Sequence, residues 1–113
     1  MYYIGIDLGT SAVKLVLMEA TGAIAKIVSK EYPLFFPKPG WSEQNPADWY
    51  EQVMAGLKEL LADVDKSQVA GISFGGQMHG LVMLDEQDEV IRPAILWNDG
   101  RTIEECEYLN GVI

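Results

Sequence analysis

The chain has 113 residues and a formal net charge of −9, which bounds it to one small domain with a single core. With 8 Lys and Arg against 17 Asp and Glu no basic stripe can form, and a nucleic-acid partner is excluded. A hydrophobic fraction of 49% marks a globular chain, and with this net negative charge any site for an anionic nucleotide must rely on Mg²⁺ and backbone donors.

The first stretch carries the strongest local pattern. Ile4, Ile6 and Leu8 alternate with Tyr3, Gly5 and Asp7, as in a strand with one buried face. Gly9-Thr10-Ser11 then turns, and Ala12 to Met18 reads as a second strand. Asp7 therefore stands at the mouth of a β-hairpin, beside small residues whose amides are uncrowded. Such amides can hold a phosphate oxygen, and Asp7 can hold Mg²⁺ directly or through water. Lys14 follows the turn and reads as a solvated strand lysine that could also reach a phosphate.

After a turn at Glu19–Gly22, Ile24 to Tyr32 reads as a third strand, closing an antiparallel meander. Pro33 to Gly40 holds three prolines and is an extended connector. Asn45 suits a helix N-cap, Pro46 the first helical position, and Asp48 the positive end of the helix dipole. Trp49, Val53, Leu57, Leu60, Leu61 and Val64 share one helical face, which belongs to the core. Val69 to Phe74 reads as a buried strand, made parallel to the first by the helical crossover. Gly76-Gln77-Met78-His79-Gly80 follows at its carboxyl end. Leu81–Leu84 and Val90–Ile91 read as a short hairpin, and Ala94–Trp97 as a brief apolar run. Asn98 or Asp99 can cap a final helix with Glu104 and Glu105 near its first turn and Ile103, Cys106 and Leu109 on its buried side.

The chain has one histidine, His79, and one cysteine, Cys106. A single cysteine excludes an internal disulfide and fits a reducing compartment. The chain opens directly in a strand pattern, without a leader, and no apolar run is long enough to span a bilayer. A cytoplasmic protein with no membrane partner is expected. Ligands collect outside the carboxyl ends of parallel strands, which is where His79 lies. A neutral imidazole offers one donor and one acceptor there. Met78 reads either as core or as a soft apolar wall. No Cys/His cluster has zinc spacing, and no phosphate-binding P-loop motif is present.

Three segments read together are selective: Ile4-Gly-Ile-Asp-Leu-Gly-Thr-Ser11, Gly76-Gln-Met-His-Gly80, and Pro93-Ala-Ile-Leu-Trp-Asn-Asp-Gly-Arg101. With Gly40-Trp-Ser-Glu-Gln-Asn-Pro46 between them, the chain resembles the N-terminal part of the FGGY carbohydrate kinase family, and within it the xylulose kinases. The resemblance implies an α/β, ribonuclease H-like (actin-like ATPase) fold with a mixed sheet. It implies ATP-dependent phosphorylation of D-xylulose to D-xylulose 5-phosphate, with ATP and Mg²⁺ as cofactors. Asp7 would lie near the transferred phosphoryl group, with Gly9, Thr10 and Ser11 as phosphate donors. Met78 and His79 would contact the ketose; glycerol kinase carries Arg and Glu at these positions. Trp97 is either an aromatic beside the substrate or a core residue, and Asn98 a substrate contact or a helix cap. Asp99 and Arg101 read as structural, and Gln77 as a residue that orients its loop.

The family's general base and ATP-binding domain lie outside these residues. Residues 1–113 then correspond to the N-terminal part of a sugar-binding domain and are expected to be inactive alone. Kinases for gluconate, ribulose or glycerol, and a non-catalytic polyol-binding or self-associating module, are the alternatives. An uncovered sheet edge would invite self-association, with a homodimer the simplest product.

Overall fold

The computed structural model describes residues 1–113. Strand β1 (Tyr2–Leu8) buries Ile4 and Ile6 and leaves Tyr3, Gly5 and Asp7 exposed, as its alternation requires. Strand β2 (Ala12–Glu19) returns antiparallel, with Lys14 opposite Asp7 and Val13 opposite Leu8. Strand β3 (Ile24–Glu31) continues the meander on β2. Strand β4 (Glu43–Gln44) is only two residues long.

Helix α1 (Pro46–Leu60) starts with Pro46 in its first turn and Asn45 at the N-cap position. The Asn45 side chain makes no capping bond, so the start rests on the fixed φ of Pro46 and on Asp48 at the dipole's positive end. The helix lies over β2 and β3. Leu60 is fully buried, and Trp49, Val53, Leu57, Leu61 and Val64 pack around a core of Ile4, Ile6, Val13, Leu15, Leu17 and Val28. Gly56 allows this approach: a Cβ there would lie 2.5 Å from Leu15 Cδ1. At the rim Lys30 Nζ pairs with Glu59 at 2.5 Å, and Lys26 Nζ donates to the Glu59 carbonyl at 2.8 Å.

A short 3₁₀ turn (Lys66–Gln68), capped by Asp65, leads into strand β5 (Val69–Gly76). β5 runs parallel to β1, with Ile72 opposite Ile4 and Gly75 opposite Asp7, and the sheet order is β3-β2-β1-β5. The helical crossover thus does what its length predicts. The β-β-β-α-β order with a mixed sheet is that of the ribonuclease H-like, actin-like unit, present here in part.

Beyond β5, several expectations are corrected. β5 is mostly not buried: it is an edge strand of which Val69 packs against the core, while Ile72 and Phe74 are 51% and 72% exposed. Val90–Ile91 does pair back on Leu81–Leu84, but only through the Leu84–Val90 bridge and the Ile91 amide on the Met83 carbonyl, without a regular ladder. Strand β6 (Ala94–Ile95) pairs antiparallel with β4 and anchors this region to the connector. Helix α2 (Ile103–Val112) is preceded by Thr102 at the N-cap position, not by Asn98 or Asp99. Asp99 is drawn inward instead by Arg101 and the Ser42 amide. Ile103, Cys106 and Leu109 are exposed, because no other element packs against α2.

The radius of gyration, 17.8 Å, exceeds the roughly 13 Å of a compact domain of this length. The molecule is elongated, with principal extents of 55, 29 and 27 Å. No helix is long and apolar enough to cross a membrane.

Candidate functional site

The β1–β2 turn is held from beneath. The Gly9 amide donates to the Ala12 carbonyl at 2.9 Å. A Cβ on Gly9 would sit at that same 2.9 Å from the Ala12 oxygen, so only glycine closes the turn this tightly. Tyr32, buried beside the turn, donates its hydroxyl to the Gly9 carbonyl, and Gln44 Nε2 donates to the Thr10 carbonyl. The Ser11 carbonyl accepts from the Tyr32 amide at 3.2 Å. All three carbonyls are thereby occupied, while the Thr10 and Ser11 amides have no acceptor within the chain. Burial, with the Asp7 charge second, pushes the Tyr32 hydroxyl up to about 12, so it keeps its proton and its bond to the turn.

Asp7 is exposed at the end of β1, opposite Lys14 on β2 and Gly75 on β5, and lines a shallow pocket with both. No group of three or more His, Cys, Asp or Glu side chains converges on a metal position. One free carboxylate near a turn with two unpaired amides nevertheless suits Mg²⁺, which keeps most of its waters and takes further oxygens from a polyphosphate. The residues present fit that ion.

A second pocket lies at the carboxyl end of β5, lined by Thr10, Gly76, Gln77, Met78, His79 and Trp97. Its floor is tied to β1 by the Gln77 amide on the Leu8 carbonyl at 2.8 Å. Trp97, 56% exposed, donates Nε1 to Thr10 Oγ1 at 3.2 Å. The Thr10 hydroxyl thereby accepts from the indole and retains its own proton for donation outward. Met78 is exposed rather than core. His79 is exposed and stands at φ 62°, in the left-handed region. That geometry costs about 1 kcal/mol for a non-glycine residue, and no hydrogen bond of its side chain repays it. The structure therefore brings Thr10, Met78, His79 and Trp97 to one pocket. Asp7 opens to the neighbouring one, and Asn98 to a third, with Phe36 to Ser42.

The strand that delivers Trp97 is clamped by buried charge. Asp99, with a side chain 2% exposed, accepts from the Ser42 amide at 2.6 Å and from Arg101 Nη2 at 2.6 Å and Nε at 2.9 Å. These bonds, the Arg101 side chain first, hold its carboxyl well below the usual range, and Asp99 in turn raises the guanidinium. Arg101 also reaches Glu43 at 2.8 Å and stacks 3.7 Å above the Trp41 ring, while Arg92 reaches Glu43 at 2.6 Å.

The N-terminal domain of the FGGY family of carbohydrate kinases matches residues 2–112. The chain belongs to this family. Among similar proteins are the xylulose kinases of Bacillus subtilis, 52% identical over 107 residues, and of Staphylococcus xylosus, 47% identical over 106. The match takes in 93% and 94% of this chain but 21% and 22% of those relatives. The solved xylulose kinase of Rhodospirillum rubrum superposes with a TM-score of 0.95 at 31% identity, over 100% of this chain and 24% of that one. The chain thus spans about a fifth of the length of the curated relatives it matches.

Two supports of the site in this FGGY chain carry no local sequence signal: Gln44 lies within the Gly40–Pro46 segment and Tyr32 at the end of a strand. Their partners lie 34 and 23 residues away, so no local pattern announces them.

Proposed function

We propose that this chain supplies the N-terminal part of the sugar-binding domain of a longer kinase, which transfers the γ-phosphoryl group of ATP to a hydroxyl of D-xylulose. The observation that carries this reading is the shared pocket of Thr10, Met78, His79 and Trp97, set at a turn whose Thr10 and Ser11 amides have no acceptor in the chain. The similarity to proteins named xylulose kinase supports the choice of sugar.

His79 offers a donor and an acceptor to sugar hydroxyls, and Met78 and the Trp97 ring give apolar surface to the C–H face. The Thr10 hydroxyl and the Thr10 and Ser11 amides donate to phosphoryl oxygens. Asp7 would hold Mg²⁺, which when bound neutralises phosphate charge. Asn98, in a separate pocket, is a weaker sugar contact. The base that takes the hydroxyl proton lies outside these residues. A cytoplasmic location, where ATP is available, goes with this reading.

The test is a coupled ADP-release assay of the full-length protein on D-xylulose, D-ribulose, gluconate and glycerol. D-xylulose is expected to show the highest kcat/KM. A preference for gluconate or glycerol would overturn the sugar, and no transfer to any of the four would overturn the kinase.

A further inference from the structure

Gln44 is 1% exposed, and all three of its side-chain bonds lead to parts of the site or to the helix behind it. Its Nε2 donates to the Thr10 carbonyl in the β1–β2 turn. Its Oε1 accepts from Trp49 Nε1 at 3.0 Å and from Gln77 Nε2 at 3.1 Å. The orientation of the amide is fixed by chemistry: an indole N–H can only donate and a carbonyl can only accept. Trp49 anchors the residue to α1, and the other two bonds run to the two loops that carry the candidate chemistry.

We propose that Gln44 is a positioning residue that holds the phosphate-facing turn and the sugar-facing Gln77–Gly80 loop in register with each other. The inference rests on the kinase reading above. Gln77 is the arm through which Gln44 reaches the sugar loop. The orientation of Gln77 does not serve stability first, because it leaves Gln77 Oε1 buried without a partner. Neither loop has another side-chain bond to a residue this deeply buried, save the Tyr32 bond to Gly9. Shifting one loop by an ångström relative to the other separates phosphoryl donor from acceptor, a displacement worth on the order of 10²-fold in rate.

The experiment is a double-mutant cycle in the full-length protein with Gln44→Met, Gln77→Met and both together. Sugar KM, ATP KM, kcat and melting temperature are measured for each. Gln77→Met is expected to raise the D-xylulose KM about tenfold and leave the ATP KM within about twofold, since only the sugar arm is cut. Gln44→Met is expected to raise the D-xylulose KM similarly and also to lower kcat about tenfold, since the Thr10 arm is cut as well. In the double variant the second substitution should add nothing to the sugar KM. Additive effects on that KM, or a Gln77→Met variant that shifts both KM values equally, would overturn the proposal. If Gln44→Met does not fold, Gln44→Glu takes its place: it keeps an acceptor for Trp49 and Gln77 but no donor for Thr10, and is expected to lower kcat about tenfold with the sugar KM within about twofold, whereas a changed sugar KM with normal kcat would overturn the proposal. If wild-type protein binds D-xylulose but transfers no phosphate, the kinase reading fails. The same cycle, read on calorimetric sugar affinity, then still decides the role of Gln44.

Discussion

Replacing His79 separates a substrate contact from a structural one. The imidazole is exposed and makes no hydrogen bond within the chain, so truncation removes no buried contact. If it meets a sugar hydroxyl, its loss leaves that hydroxyl unpaired at about 1–3 kcal/mol. That is roughly 5- to 150-fold in kcat/KM for the sugar. The backbone supplies a second, independent measure. At φ 62° alanine keeps the left-handed strain of about 1 kcal/mol, whereas glycine releases it. His79→Ala and His79→Gly are therefore expected to raise the D-xylulose KM equally, with ATP KM unchanged. Their melting temperatures should differ in the opposite sense to any structural damage, with His79→Gly equal to wild type or higher. Kinetics and differential scanning fluorimetry on both full-length variants provide the assay. A KM that tracks the melting temperature across the pair, or an ATP KM that rises in step with the sugar KM, would refute a substrate role.

Further outcomes follow from the same geometry. Asp7→Asn should cut kcat by at least 10²-fold while calorimetric xylulose affinity stays within about twofold, because Asp7 lines a pocket separate from that of His79 and is proposed to act on metal and phosphate; a raised sugar Kd with normal turnover would contradict this. Asp99→Asn should destabilise by about 3–5 kcal/mol at pH 7, because one buried oxygen is replaced by an amide that faces two donors. The folded Asp99 carboxyl titrates below its unfolded value of about 3.9, so its stabilisation is complete well above that value and is lost progressively as pH falls through it toward the depressed one. The gap in melting temperature between wild type and Asp99→Asn should therefore narrow on acidification, and a gap that widens would reverse the sign. Gly56→Val should destabilise by at least about 1–3 kcal/mol, read by chemical denaturation, since even the first carbon meets Leu15 at 2.5 Å.

The meander β1–β3, helix α1 and strand β5 were legible as elements because their signals are local. Alternating Ile4, Ile6 and Leu8, the short turns between strands, and Pro46 ahead of a helical apolar stripe each act within a few residues. Short turns force antiparallel neighbours, and a helical crossover makes the last strand parallel. The gathering of Met78, His79, Trp97 and Thr10 was foreshadowed by motif resemblance, but their meeting depends on Trp97 crossing 87 positions to reach Thr10.

Local sequence signals set the order of strands and helix, the apolar face of α1, and a turn at residues 9–11 that needs small residues. Tertiary structure alone decided which apolar faces are covered. Periodicity marks the residues able to be buried, and says nothing of whether another element lies against them. That is why β5 and α2 read as buried and stand exposed. The tertiary structure alone also decided that Asp99 would leave the helix start for Arg101 and that Gln44 would join two loops. Both outcomes rest on partners distant along the chain, where a buried polar group must find whichever donor or acceptor the fold brings to it.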